Sequence, residues 1–285
     1  MNDLVGARLT SGLELLRAHD AAAILGDDPE HLHQARVATR RLRSDLRALH
    51  RFVESEWSRD LRQEIGWLGD RLGAVRDLDV LHARLEGRIE TVPGRDERVA
   101  RAIVRRLAGE RTRARGALRT ALRSVRYRRL LDRLEEAARE PRTTADADGT
   151  AGEAVKGLVR KRWRKLRDEV AALSDAPADV ELHRVRIEAK RCRYVAETAA
   201  TLEGKPARRF ARAVEAVQTV LGEHQDAVVA AQWLRAFADA ASPPEAFVAG
   251  ELAAIEEAAR RTAREQFGPV WRAAGDPQLR RWLHR

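Results

Sequence analysis

The chain has 285 residues, 44% of them hydrophobic and only 5% aromatic, enough to bury one large core or two smaller ones. Its 54 Lys and Arg against 44 Asp and Glu leave a formal net charge of +10, which favours an anionic partner. The single cysteine, Cys192, excludes an internal disulfide and fits a reducing compartment, and no run of about 18 apolar residues predicts a membrane-spanning helix.

Ala, Leu, Arg and Glu dominate, all good helix formers, and no alternating pattern between turn residues predicts a strand. The expected fold class is therefore all-α. The opening MNDLVGARLTSGLELL lacks a basic n-region and a continuous apolar run, so no secretory leader is expected and the predicted location is cytoplasmic.

In chain order the first predicted helix covers about 3–25. Asp27-Asp28-Pro29 ends it and caps a second helix over 29–55. A third covers 57–91, Pro93-Gly94 breaks the chain, and a fourth covers 95–123. PRTTADADGTAG, residues 141–152, is the one extended stretch of low hydrophobicity and reads as a linker. Four more long helices are predicted over 153–173, 179–203, 206–240 and 244–267, interrupted at Ala176-Pro177, Gly204-Lys205-Pro206 and Ser242-Pro243-Pro244-Glu245. The last of these breaks reads as a capping box. Asp276-Pro277 opens a short C-terminal helix. Residues 1–285 are read as a single domain with internal halves 1–140 and 153–285 joined by the linker 141–152.

The halves share more than a helix count. Residues 1–140 hold 29 basic and 23 acidic residues, and 153–285 hold 24 and 19, so both are basic. HQARVATRRLR (33–43) aligns with HRVRIEAKRCR (183–193) at an offset of 150, and Leu72-Gly73 and Asp77 align with Leu221-Gly222 and Asp226 at an offset of 149. A one-residue change of offset means a loop of nearly constant length, which is what two copies of one helical unit produce.

Winding these stretches at 100° per residue separates two faces. Leu32, Ala35, Thr39, Leu42, Leu46 and Leu49 form a core stripe, and His33, Arg36, Arg40, Arg43 and Arg47 form a basic row beside it, with Val37 beyond. In the second copy Leu182, Val185, Ala189, Cys192 and Ala196 form the core stripe, and His183, Arg186, Lys190 and Arg193 the basic row, with Ile187 and Tyr194 beyond. Apolar borders on both sides point to the wall of a groove. Few acids interrupt these rows: Asp45 in the first, Glu188 in the second. Like charges three or four residues apart cost a few tenths of a kcal/mol per pair, so the repeated pattern calls for an external anion rather than a solvated face. Of the 54 basic residues only five are Lys, and guanidinium presents a planar fork of donors that fits phosphate oxygens. Arg41 and Arg191 fall off the row. Asp77 and Asp226 read as partners of a nearby Arg, Gly73 and Gly222 as points of close helix approach, and Cys192 and Trp163 as core residues. Arg111 and Arg115 align with Arg260 and Arg264 as secondary candidates from the fourth helix of each half. VRKRWRKLR (159–167) is a further basic cluster that the first copy lacks.

These segments, together with WLGDRLGAVRDLDV (67–80) and its echo AVQTVLGEHQDAVV (216–229), resemble the CHAD family, the conserved histidine α-helical domain. The resemblance covers about residues 4–267. It implies two pseudo-symmetric four-helix bundles, a tandem helical repeat around a basic central groove or pore, with inorganic polyphosphate as ligand. It also implies association with polyphosphate granules and polyphosphate-metabolising enzymes as further partners. Carried over by position, the polyphosphate-binding residues are His33, Arg36, Arg40, Arg41 and Arg43, and His183, Arg186, Lys190, Arg191 and Arg193; the helical wheel adds Arg47. The second copy departs from the first where Asp79 aligns with Val228 and Arg76 with Gln225.

Three function classes compete. A non-catalytic polyphosphate-binding module accounts for duplicated arginine rows. A nucleic-acid binder fits the net charge, but no basic stretch is interleaved with aromatics for stacking, and it is not favoured. For an enzyme there is no GxxxxGK[ST] loop, no histidine cluster with metal-ligand spacing and no nucleophile beside a recognisable base, so no catalytic residue, metal or cofactor is assigned.

Overall fold

The computed structural model describes residues 2–19, 24, 26, 28–144 and 151–284. Every regular element among them is helical, and the one β feature is an isolated antiparallel bridge between Val53 and Thr143. The α-helices are α1 (Asn2–Ala18), α2 (Pro29–Ala48), α3 (Ser55–Glu86), α4 (Glu97–Leu122), α5 (Val125–Arg139), α6 (Ala151–Ala171), α7 (Asp179–Glu203), α8 (Lys205–Ala238) and α9 (Pro243–Ala274). Short 3-10 helices occupy Ile89–Thr91 and Pro277–His284. Asp27, the end of the first predicted helix and linker residues 145–150 lie outside the described residues.

Local chemistry sets most boundaries. Asp28 caps α2 by accepting from the Glu30 amide at 2.8 Å, with Pro29 in the first turn where its missing N–H costs nothing. Gly204, at φ +66°, takes the left-handed conformation that ends α7. Glu245 accepts from the Ser242 amide at 3.1 Å and from its hydroxyl at 2.6 Å, so the start of α9 is fixed as the sequence predicts. Two boundaries differ from expectation. Ser124, whose Oγ accepts from the Tyr127 amide, opens the 15-residue helix α5, which the eight long predicted helices did not include. Helix α9 runs through Pro269 to Ala274 instead of stopping near 267, and Trp271 beyond the proline stacks on Trp163 at 5.3 Å. Aromatic packing there outweighs the lost backbone bond.

The chain divides into two compact units: Met1–Asp77 with Thr112–Lys161 and Tyr194–Gly204, and Leu78–Arg111 with Arg162–Arg193 and Lys205–Arg285. Each takes segments from both sequence halves, and the divisions fall inside α3, α4, α6 and α7.

In the first unit α1 packs on α2 and α5. Leu4, Val5, Leu9, Leu13 and Leu16 of α1 are buried, as are Leu32, Ala35, Leu42 and Leu46 of α2. Gly12 allows the approach: a methyl there would lie 2.4 Å from Leu42 Cδ2, and Leu42 is itself fully buried. Asp45, the acid noted inside the first basic segment, is only 4% exposed and faces inward. It accepts from Arg8 Nε and from Thr198 Oγ1, each at 3.0 Å. Burial pushes its pKa up despite Arg8.

In the second unit Leu81, Leu85, Ile103 and Leu107 pack with Leu234, Val248 and Leu252 in one cluster. Glu256, fully buried on α9, accepts from Arg84 Nε at 2.6 Å and Arg88 Nε at 2.9 Å, and Arg84 also reaches Glu223 at 2.8 Å. Trp163 is buried between Phe210 and Trp271, with the Arg280 guanidinium 4.4 Å from its ring centre, and is the core residue expected. No helix among the described residues is long and apolar enough to cross a membrane.

Gly12→Ala is expected to lower stability by about 1 kcal/mol or more, because overpacking against Leu42 exceeds the gain in helix propensity. Gly116→Ala, on an exposed part of α4 with no atom within 4 Å of a new methyl, is expected to raise it by about 0.5–1 kcal/mol. Urea unfolding of the two variants checks the contrast; equal effects would mean that α1 can slide off α2 at little cost. Glu256→Gln should cost about 2 kcal/mol in the same assay, since it removes a buried carboxylate shared by two half-buried guanidiniums and leaves Arg84 with Glu223.

Candidate functional site

The first basic row sits on α2. Its flanks are anchored on both sides, since Leu32, Ala35, Thr39 and Leu42 are buried and so are Val37 and Ala38. Between them His33, Arg36 and Arg40 are half-buried, and Arg43 and Arg47 are exposed. The facing helix, α3, presents Gly66, Gly69 and Gly73 along one face. A methyl on these would lie 3.4 Å from Arg43 Cζ, 3.5 Å from Thr39 Oγ1 and 3.3 Å from Arg36 Nη1. Gly66 and Gly73 thus leave room for guanidinium groups, and Gly69 for Thr39. Arg36 Nη1 donates to the Gly73 carbonyl at 2.9 Å and to Asp77 Oδ1 at 2.7 Å. The Arg40 guanidinium lies 5.5 Å from the centre of the Tyr194 ring. Arg43 makes no ion pair among the described residues.

The second row sits on the part of α7 that belongs to the second unit, and His183, Arg186, Lys190 and Arg193 are half-buried there. Arg186 Nε lies 3.9 Å from where a Gly222 methyl would stand, so the Arg–Gly contact of the first copy recurs at aligned positions. The pairing of charge does not. Where the first copy has Gly66 the second has Glu215, and Arg193 Nη1 pairs with it at 2.5 Å. Arg186, the counterpart of the paired Arg36, makes no ion pair among the described residues, and its Nε is buried without a hydrogen-bond partner. The Arg36–Asp77 pair is the kind of partnership the sequence assigned to Asp77, whereas Glu215 was missed because it comes from the neighbouring helix.

The two histidines differ as well. Burial first, then Arg76, holds the His33 pKa below its usual value, with Glu30 opposing and Arg40 and Arg36 adding to the effect. His183 Nδ1 donates to Gln225 Oε1 at 2.7 Å, the residue that replaces Arg76.

Arg41 and Arg191 lie off the rows, as the wheel predicts. Arg41 borders a polar cavity of about 290 Å³ with Arg8, Ser11, Gly12, Asp45 and Glu197. Arg191 pairs with Glu188, which also meets Lys165 at 3.5 Å. Glu188 is therefore turned inward and does not neutralise the row.

The family scan gives a match to the CHAD domain over residues 7–235. The chain belongs to the CHAD domain family. A solved CHAD domain from the plant Ricinus communis superposes with a TM-score of 0.77 over 96% of this chain and 91% of its own, at 29% identity. PptA from Streptomyces chartreusis gives a TM-score of 0.78 over 95% and 99%, at 21% identity, a likeness of fold alone. Two uncharacterized proteins of Mycobacterium tuberculosis, Rv2226 of strain H37Rv and MT2285 of strain CDC 1551, are each 33% identical over 257 residues, 86% of this chain. The chain spans 48% of the length of these relatives.

Within this CHAD domain the four secondary candidates all have internal partners. Arg111 pairs with buried Asp79 at 2.6 Å. The second copy has Val228 in place of Asp79, and the aligned Arg260 takes Asp179 Oδ2 instead, at 2.8 Å. Arg115 Nη1 donates to the Gly26 carbonyl at 3.2 Å and Arg264 Nη1 to the Pro177 carbonyl at 2.7 Å. At aligned positions, then, each arginine ties down the loop that precedes a basic helix. Arg264 also binds Asp179 Oδ1, and its Nε donates to Nε2 of buried His224 at 3.2 Å. Burial lowers the His224 pKa, and although burial pushes Asp179 the other way, Arg264 and Arg260 hold that carboxyl below the usual range. These contacts give the four arginines a positioning role, and Asp179 and His224 belong with them. The one early signal for Gly66 and Gly69 was their spacing with Gly73, which puts three glycines on one helix face.

His33 supplies a pH prediction. Its folded pKa lies below the unfolded value of about 6.5, so the stability it contributes is complete above that pH and is lost as pH falls below it. A bound polyanion favours the imidazolium, so affinity should rise over the same acid range. His33→Gln should flatten part of both trends in parallel binding and unfolding titrations; curves superimposable on the parent would place His33 away from the ligand.

Proposed function

We propose that this CHAD domain binds inorganic polyphosphate through its two basic rows, without catalysing its turnover. The observation that carries the reading is the recurrence, at aligned positions on α2 and α7, of an arginine set against glycine, Arg36 beside Gly73 and Arg186 beside Gly222, with one arginine in each row, Arg43 and Arg186, that makes no ion pair among the described residues. Family membership supports a polyphosphate-related role, and the resemblance noted in the sequence supplies the ligand.

The chemistry fits. Each unit of a linear polyphosphate carries about one negative charge, and guanidinium binds such oxygens in a fork. Half-buried stems limit the side-chain entropy lost on binding. His33, Arg36, Arg40, Arg43 and Arg47 form the first set of contacts, and His183, Arg186, Lys190 and Arg193 the second. The exposed Arg36–Asp77 pair is worth little by itself, so a phosphate can compete for that guanidinium. In a cell the role would be a cytoplasmic one at polyphosphate granules, beside enzymes that make or consume the polymer.

The test uses variants whose loss should not unfold the chain. Arg43→Gln with Arg47→Gln, and separately Arg186→Gln with Lys190→Gln, should each weaken binding of long-chain polyphosphate about 100-fold, two charge-assisted contacts at about 1.5 kcal/mol each. Helix content should not change. A pair that binds like the parent removes its row from the site. In competition at matched salt, polyphosphate should displace single- and double-stranded DNA; the reverse order would favour nucleic acid as the ligand. Release of orthophosphate with a divalent metal present would show an enzyme instead.

A further inference from the structure

The cavity that Arg41 borders, about 290 Å³ in volume, lies in the first unit and shares no lining residue with either basic row. It follows the seam between α1 and α2. Arg8 faces Asp45 there and Gly12 faces Leu42, so the two helices run antiparallel. Along the seam α1 contributes Arg8, Ser11 and Leu15, α2 contributes Arg41 and Asp45, and Glu197 comes from the last part of α7. The Arg8–Asp45 pair is a fixed wall: the two side chains are 17% and 5% exposed, with Arg8 on one carboxylate oxygen and Thr198 on the other. Arg41 makes no ion pair among the described residues.

We propose that this cavity binds a small zwitterion of the α-amino acid class with an aliphatic side chain. The lining holds two guanidiniums and two carboxylates, so its charge sums to zero. An anion entering it meets Asp45 and Glu197, and a cation meets Arg8 and Arg41, so each loses to like charge what it gains from unlike. A ligand that carries one charge of each sign meets no such conflict. Arg41 offers its fork of donors to the carboxylate, and the exposed Ser11 hydroxyl adds another. Glu197 accepts from the ammonium, together with the Asp45 oxygen that Thr198 alone engages. Leu15 is the apolar side chain of the lining and receives the aliphatic group, while Gly12 adds no side chain to fill the space.

The site also gives Arg41 a place. The resemblance carries Arg41 over as a polyphosphate contact, yet a phosphate chain in this cavity would lie against two carboxylates. Neither basic row contributes to the cavity, so the site stands apart from the polyphosphate reading.

Calorimetry and thermal unfolding of the full chain with L-leucine, in the absence of polyphosphate, test the site. L-leucine should bind once per chain and raise the unfolding midpoint. Isocaproate, which lacks the ammonium, and isoamylamine, which lacks the carboxylate, should each bind about tenfold more weakly or worse. Arg41→Gln and Glu197→Gln should each weaken L-leucine binding about tenfold, and Ser11→Asp, which sets a third carboxylate at the cavity, should abolish it. Arg41 and Ser11 are exposed, so their variants should keep the helix content and ligand-free unfolding midpoint of the parent, which circular dichroism verifies. No L-leucine binding by the parent, binding unchanged by Arg41→Gln, or isocaproate held as tightly as L-leucine would overturn the site.

Discussion

A row of guanidiniums one helical turn apart repels itself, and the rest of the site follows from how that repulsion is borne. On α2 the row is bounded by buried side chains on both flanks, Leu32, Ala35 and Leu42 on one and Val37 on the other. Burying one such aliphatic side chain contributes about 1.5–3 kcal/mol, against a few tenths for each like-charge pair. Packing therefore wins by a wide margin, and the arginines are held where electrostatics alone would not gather them. Gly73 and Gly66 of α3 complete the arrangement by leaving space beside the helix for the guanidiniums of Arg36 and Arg43.

The two copies of the motif share this construction and differ in charge. The first pairs Arg36 with Asp77 and the second pairs Arg193 with Glu215, while Arg43 in the first and Arg186 in the second make no ion pair among the described residues. The histidines diverge in parallel, because Arg76 beside His33 becomes Gln225 beside His183. One neighbour repels a proton and the other fixes a tautomer. The two aligned rows thus share the arginine-against-glycine contact and differ in their electrostatics.

A second layer of arginines works inward. Arg115 and Arg264 bind carbonyls of the loops ahead of the basic helices, and Arg111 and Arg260 bind Asp79 and Asp179. Where Val228 stands at the position aligned with Asp79, a different acid, Asp179, pairs with the aligned arginine. What the aligned Arg111 and Arg260 share is a carboxylate partner, not a particular one.

Much of this was legible in the sequence. Helical propensity, apolar periodicity and the breakers at Asp28-Pro29, Gly204 and Ser242 determined an all-α chain and most helix ends, since those effects are local. The duplicated rows were legible too, because residues on one helix face are fixed by a 100° step. Most of what depended on a second helix was not, although Asp77 was read as the partner of a nearby Arg. That Asp45 and Glu188 turn inward, that Arg36 is the arginine Asp77 answers, that Glu215 answers Arg193, and that Gly66 and Gly73 of α3 make room for the guanidiniums of Arg43 and Arg36 were decided only by tertiary packing. So was the extension of α9 through Pro269, where Trp271 packing overrode a local stop. A sequence specifies which side chains share a face; which face they meet, and hence which charges remain unanswered, is settled by the energy of burying apolar surface across the whole chain.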